Sequence, residues 1–144
     1  GRFSGRVMVL LDTNIISELM KKAGNPNVQA WLDGIPAHQL YTSAISKAEI
    51  EYGVSILPEG KKKNQIGKLA DLVLELFDDR ILPFNTDSTQ AFARIKSSRK
   101  IMGRPINYAD AQIAAIAVQH GFKLATRNTA DFQSIEGLEL INPW

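Results

Sequence analysis

Two spacings organise the hydrophobic positions of this chain. Short strand-like runs fall at residues 7–11, 40–45, 81–84, 122–126 and 138–141, and apolar residues recur at helical spacing between them. The first run, Val7-Met8-Val9-Leu10-Leu11, has no polar alternation, as expected of a strand buried on both faces. Helices are predicted over 14–22, 25–34, 46–57, 60–77, 87–102 and 108–120. Their ends carry matching signals. Asn25 and Asn107 are cap residues, Pro26 suits a first turn, Pro58 stops a helix, and Gly34, Gly103 and Gly121 follow helix ends. Pro83 lies inside the third run and confines it to a sheet edge. Strands alternating with helices imply an α/β fold whose parallel sheet is joined by right-handed crossovers.

Composition narrows the picture. At 144 residues the chain is one domain, and its 44% hydrophobic and 22% charged content is that of an ordinary globular protein. Without cysteine, disulfides, thiolate metal sites and a thiol nucleophile are all excluded. No apolar run approaches the roughly 20 residues needed to cross a membrane. Residues 1–7, GRFSGRV, read as a cloning remnant or a disordered lead, leaving 8–144 as the domain. Setting aside Arg2 and Arg6 brings the net charge of +2 to zero, so any case for an anionic partner rests on local patches.

The candidate chemistry is acidic. Asp12, Glu49, Asp110 and Asp131 each follow a strand-like run or loop that gives way to a helix. In a parallel sheet those positions share the edge outside the carboxyl ends of the strands, where open α/β sheets place their sites. Four carboxylates at one edge call for a hard divalent cation with oxygen ligands. Each acid also has a plainer reading. Asp12 can cap a helix. Ser46-Lys47-Ala48-Glu49 fits a capping box, and Asn107-Tyr108-Ala109-Asp110 is a start of the same kind. Asp131 can be a polar loop residue. Their coincidence at one edge favours a site, as do Thr13 and Asn14 after the first acid and Thr126 and Asn128 before the last, groups suited to orienting carboxylates and water.

The segments Leu10-Leu11-Asp12-Thr13-Asn14, Ala48-Glu49, Arg104-Pro105-Ile106 with Ala109-Asp110-Ala111-Gln112-Ile113-Ala114, and Leu124-Ala125-Thr126-Arg127-Asn128 with Asp131-Phe132 resemble the PIN-domain nucleases. The similarity is to the toxin ribonucleases of VapBC- and FitAB-type toxin–antitoxin pairs, and it runs from Met8 to Trp144. It implies a three-layer α/β/α sandwich around a five-stranded parallel sheet. It also implies Mg²⁺-dependent RNA cleavage, with Mn²⁺ able to substitute, a homodimer, a cytoplasmic setting, and inhibition by a cognate antitoxin that binds DNA to regulate the operon. On this resemblance Asp12, Glu49, Asp110 and Asp131 are the catalytic, metal-holding quartet, with Asp12 and Asp110 the foremost ligands and Asp131 acting through water or a second ion. Thr13, Asn14, Thr126 and Asn128 orient them.

Basic residues cluster at Lys61-Lys62-Lys63 and at Arg94, Lys96, Arg99, Lys100 and Arg104. The first run reads as a solvated helix start. The second leads into Asp110, and Arg99, Lys100 and Arg104 are candidate contacts to RNA phosphates. His38 and His120 have no nucleophile partner and read as structural. The apolar stripe over 66–77 is core, with a partner-docking face as its second use. Two further readings stay open. One is a PIN-type nuclease in RNA maturation or DNA-end processing, which would lack toxicity relieved by a neighbouring gene product. The other is a non-enzymatic RNA- or partner-binding module, which cations would not stabilise.

Overall fold

The computed structural model describes residues 7–144; the expectation for the leader therefore lies, at residues 1–6, outside the described residues. The strands are β1 (Val9–Leu11), β2 (Leu40–Ser43), β3 (Ile81–Leu82), β4 (Lys123–Ala125) and β5 (Leu140–Ile141). The helices are α1 (Thr13–Leu19), α2 (Pro26–Asp33), α3 (Ala44–Ser55), α4 (Lys61–Glu75), α5 (Thr89–Ile101) and α6 (Tyr108–His120). The five strands form one sheet in the order β3-β2-β1-β4-β5, every pair parallel. β3 stands at the edge, as expected, but it ends at Leu82, so Pro83 lies just beyond the strand rather than inside it.

The register explains the apolar pattern. β1 pairs Val9 with both Leu40 and Lys123 and is fully buried. Successive residues of a strand face opposite layers. Val9 and Leu11 accordingly pack with Ile15, Ile16, Val28, Ile50, Val73, Leu74 and Phe77 of α1 to α4 and its following turn. Leu10 and Leu124 pack on the other side with Ala91, Ile95 and the α6 residues Ile113 and Ile116. Ala111 and Ile113–Ala117 of α6 are all inaccessible to solvent, so the middle of this apolar helix lies inside while its ends, Tyr108 and His120, reach the surface. Gly121 ends it in the left-handed conformation at φ 69°, which glycine adopts without a Cβ penalty.

One boundary differs from the sequence reading in a way that matters. The second strand ends at Ser43, not residue 45, and Ser43 caps α3 by accepting a hydrogen bond from the Ser46 amide at 3.0 Å. Both Ser43 and Ser46 can cap a helix, and the pairing of Thr42 and Ser43 with Ile81 and Leu82 of β3, which ends the strand at Ser43, decides for the earlier one. Glu49 therefore sits a turn inside α3, and the capping box expected at Ser46–Glu49 does not form.

The strand order reverses on either side of β1, with β2 and β3 to one flank and β4 and β5 to the other. The crevice beyond the carboxyl ends of β1 and β4 is such a reversal point. Among the described residues, no helix is long and apolar enough to cross a membrane.

Candidate active site

Asp12 is the residue immediately after β1, and it forms the floor of this crevice at 5% exposure. Its backbone is held by the Ala125 carbonyl, which accepts from the Asp12 amide at 2.9 Å. Its carboxylate is held from two sides. Oδ1 accepts from the Thr13 amide at 2.8 Å, and Oδ2 accepts from the Thr126 hydroxyl at 2.7 Å and the Asn14 amide group at 3.4 Å. The Thr126 hydroxyl in turn accepts from Asn14 Nδ2 at 3.3 Å and from the Asn128 amide at 3.0 Å. Asn14 Oδ1 accepts from the Arg127 amide at 3.3 Å, which stitches the end of β1 to the end of β4.

Glu49 reaches the crevice from α3. It accepts from the Thr13 hydroxyl at 2.5 Å, and Thr13 Oγ1 also lies 2.9 Å from the Ser46 hydroxyl. Asp110 enters from the first turn of α6. Asn107 caps that helix, accepting from the Asp110 amide at 2.8 Å and donating from its side chain to Asp110 Oδ2 at 3.1 Å. Asp131 lies exposed on the turn Thr129–Phe132, whose neighbour Phe132 is buried at 1% exposure and pins it down.

Electrostatics brings the four acids together more plainly than any single distance. The Asp110 carboxyl is pushed up to about 6, first by burial, then by the negative charges of Asp12 and Asp131, against the pull of Asn107, with Glu49 adding to the rise. Burial likewise raises Asp12; the Thr126 hydroxyl and Thr13 amide oppose it, and repulsion from Glu49 and Asp131 reinforces it. Each acid of the quartet thus contributes to one shared field, whose sign favours a cation.

Of the orienting residues expected from the sequence, Thr13, Asn14 and Thr126 act through their side chains. Asn128 acts through its main chain, donating to Thr126 and accepting from the Asp131 amide at 3.0 Å. Ser46 is a participant the sequence reading missed, because its hydroxyl was assigned to a cap; it is fully buried against Thr13. Among the basic candidates the outcome divides. Lys100 and Arg104 are exposed beside the lead into Asp110. Arg99 is not available to phosphate: it is 4% exposed, and its guanidinium is committed to backbone carbonyls. Spacing along α5 turns it inward while Lys100 faces solvent. Arg127, also missed, is exposed between two site residues and sits 5.3 Å over the Trp144 ring.

The donors suit a hard divalent ion, since all are oxygens and several are anionic. Among the described residues, no group of three or more acidic or histidine side chains forms a ready-made cage. Mg²⁺ does not require one: it keeps several waters and is held by one or two carboxylates together with substrate phosphates.

The PIN domain family model matches residues 9–138 of this chain. The chain belongs to the PIN-domain family. This PIN domain is 42% identical over 138 residues to the VapC ribonuclease Y4jK of Sinorhizobium fredii, covering 95% of this chain and 98% of that one. It is 44% identical over 138 residues to toxin FitB of Neisseria gonorrhoeae, covering 95% and 99%. Its fold superposes with a TM-score of 0.87 on a solved structure of FitAB bound to an IR36 DNA fragment, at 43% identity and 95% and 96% coverage. The α/β sandwich expected from the sequence is therefore that of the PIN toxins.

Proposed function

We propose that this protein is a metal-dependent endoribonuclease, the toxin component of a type II toxin–antitoxin system. The observation that carries the reading is the shared field of the quartet, in which Asp12, Asp131 and Glu49 all push the Asp110 carboxyl upward. Acids held in mutual repulsion at a sheet edge are stabilised further by a cation. Bound there, Mg²⁺ or Mn²⁺ would polarise a phosphoryl oxygen and lower the pKa of a water.

Asp12 and Asp110 are the residues that would hold the ion. Asp12 is pre-set by Thr126, Asn14 and the Thr13 amide, so its geometry requires no reordering when substrate arrives. Glu49 and Asp131 stand exposed at the mouth, where a carboxylate can take up the proton that the attacking water must lose. Water adds to phosphorus, the P–O3′ bond breaks, and 5′-phosphate and 3′-hydroxyl ends result. Lys100 and Arg104 bind backbone phosphates beside the lead into Asp110.

The inhibitor is a cognate antitoxin, and the cytoplasm is where such a pair acts. A groove of about 300 Å³ between α1, α3 and α4 supports its docking, lined by Met20, Ile50, Val54, Leu57 and Ile66, with Glu49 and Thr13 at one end. An amphipathic segment lying there would reach the acids. FitB and FitAB likeness further supports a complex that binds DNA, and a homodimer is part of the same reading.

The test is cleavage of single-stranded RNA by purified, antitoxin-free protein with Mn²⁺ and with EDTA. Cleavage that needs Mn²⁺ and is lost in Asp12→Asn supports the reading; equal cleavage by Asp12→Asn and wild type would sink the site. A thermal melt separates the enzyme from a passive binding module, because an ion specific to the native state raises Tm.

A further inference from the structure

Arg99 occupies a position that its chemistry makes expensive. A guanidinium cannot be neutralised and is costly to bury unless its donors are met. Here it is 4% exposed and, among the described residues, bonded only to main-chain oxygens: Nε donates to the Arg104 carbonyl at 2.7 Å, and Nη1 donates to the carbonyls of Asp131 at 2.9 Å and Gln133 at 3.2 Å. Those carbonyls belong to separate segments. Residue 104 lies in the loop that leads into Asp110, and residues 131 and 133 lie on the turn that carries Asp131 and in the residue just after it.

The first link is doubled. The Arg99 carbonyl accepts from the Arg104 amide at 2.9 Å, completing the turn at Gly103, so residue 104 is bound through both its main-chain groups to residue 99. The second link lies one residue to each side of Phe132, the apolar anchor of its turn. Phe132 fixes how deep that turn lies, and a pair of carbonyl contacts flanking it fixes rotation about the anchor. Rotation is the freedom that would swing the exposed Asp131 carboxylate towards or away from Asp12 and Asp110.

We infer that Arg99 is a positioning residue of the nuclease, which locks the Asp131 turn to the loop before Asp110 and thereby sets where the fourth acid stands. The inference rests on the proposed nuclease site. A planar fork can serve carbonyls in different directions at once, whereas a lysine offers a point charge on a flexible stem. A substitution to lysine retains the charge and most of the stem while losing the fork.

The experiment is a double-mutant cycle of Arg99→Lys with Asp131→Asn, read as kcat and KM for RNA cleavage in Mn²⁺. Arg99→Lys is expected to lower kcat roughly tenfold, the usual scale for groups that orient site residues, with KM unchanged. The double variant is expected to be no slower than Asp131→Asn alone, since the tie has no effect once the acid it aims is gone. The Mn²⁺ concentration giving half of the metal-induced rise in Tm should increase in Arg99→Lys, a readout independent of turnover. Arg99→Gln, which retains amide donors without charge, serves if the lysine variant does not fold. Additive effects would overturn the proposal, as would a raised KM at unchanged kcat, the mark of a phosphate contact. Loss of the native far-UV spectrum in both variants would make Arg99 a fold residue and overturn it too. Asp131→Asn that matches wild type would refute the site assignment itself, a failure distinct from an additive cycle.

Discussion

Replacing Asp110 with asparagine should make the metal-free protein more stable while abolishing its activity. The folded-state carboxyl titrates at about 6 against an ordinary 3.8, so its charged form is disfavoured by burial and by Asp12 and Asp131. A shift of that size is worth about 3 kcal/mol once the group is fully ionised. Because the side chain is only partly buried, solvent screening reduces this to about 1.5 kcal/mol. Asparagine gives up the attraction between a carboxylate and the N-terminus of α6, about 0.5 kcal/mol. Its amide oxygen can still accept from Asn107, which donates to Asp110 Oδ2 at 3.1 Å. The expected net gain is about 1 kcal/mol, or a rise in Tm of roughly 3–4 °C for a domain of this size.

The pH dependence identifies the cause. A group whose folded pKa lies above its unfolded value contributes stability that is fully present below the unfolded pKa and lost as pH rises through the folded one. The wild type therefore loses ground between pH 4 and about 6, and Asp110→Asn does not. Melts in EDTA should show the variant ahead at pH 7.5 and level with wild type near pH 4. Adding Mn²⁺ at pH 7.5 should raise the wild-type Tm more than that of the variant. A variant that melts below wild type at pH 7.5, or leads by the same margin at both pH values, would refute the reasoning that repulsion among the acids is the strain at this site.

Other expectations follow from single contacts. Ser43→Ala should lose about 1 kcal/mol in urea unfolding, because Ser43 is the true cap of α3. Thr126→Val removes a hydrogen bond that holds Asp12 down, so the acid limb of the pH–activity profile should move upward and kcat should drop by roughly 10–100-fold. Its melt should show a loss of about 1–3 kcal/mol of stability, because the Asn14 and Asn128 donors lose their acceptor. Lys100→Ala with Arg104→Ala should raise KM at unchanged kcat and make log KM less dependent on log salt by about one per charge removed. The same pair should leave the Mn²⁺ response intact.

Much of the fold was legible because its signals are local. Val9-Leu10-Leu11 shows no alternation and lies between two parallel neighbours; Pro83 follows the short edge strand directly; Gly121 marks the end of α6. The helix start at α3 was misread because Ser43 and Ser46 are equally good caps locally, and only the pairing of Ser43 with Leu82 in the neighbouring strand separates them. Asp12 and Asp110 stood out because one follows a strand end and the other lies in a first helical turn, whereas Glu49 lies a turn inside α3 and Asp131 on a later turn. Arg99 could not be assigned, since a basic residue one position from Lys100 on the same helix carries no mark of which way it turns. Carbonyls 32 and 34 residues further on decide its role. Ser46 escaped for the related reason that its partner, Thr13, is distant in sequence.

The plainer readings of the acids and the functional one turn out to share a physical basis. Asp12 caps α1 and Asp110 stands in the first turn of α6, so both lie in the positive end of a helix field. That attraction lowers the energy of placing two carboxylates near Glu49 and Asp131 before any cation arrives. It does not remove it, as the raised Asp12 and Asp110 show. Stronger compensation would blunt the site: a salt bridge to a buried lysine, for example, would settle the acids and leave little for an ion to gain. None of the ion pairs among the described residues involves a member of the quartet. The buried cation nearest the Asp131 turn, Arg99, spends its donors on carbonyls and leaves the carboxylates unneutralised. Helix ends make the cluster tolerable, and the absence of ion pairing leaves its negative charge open to a cation.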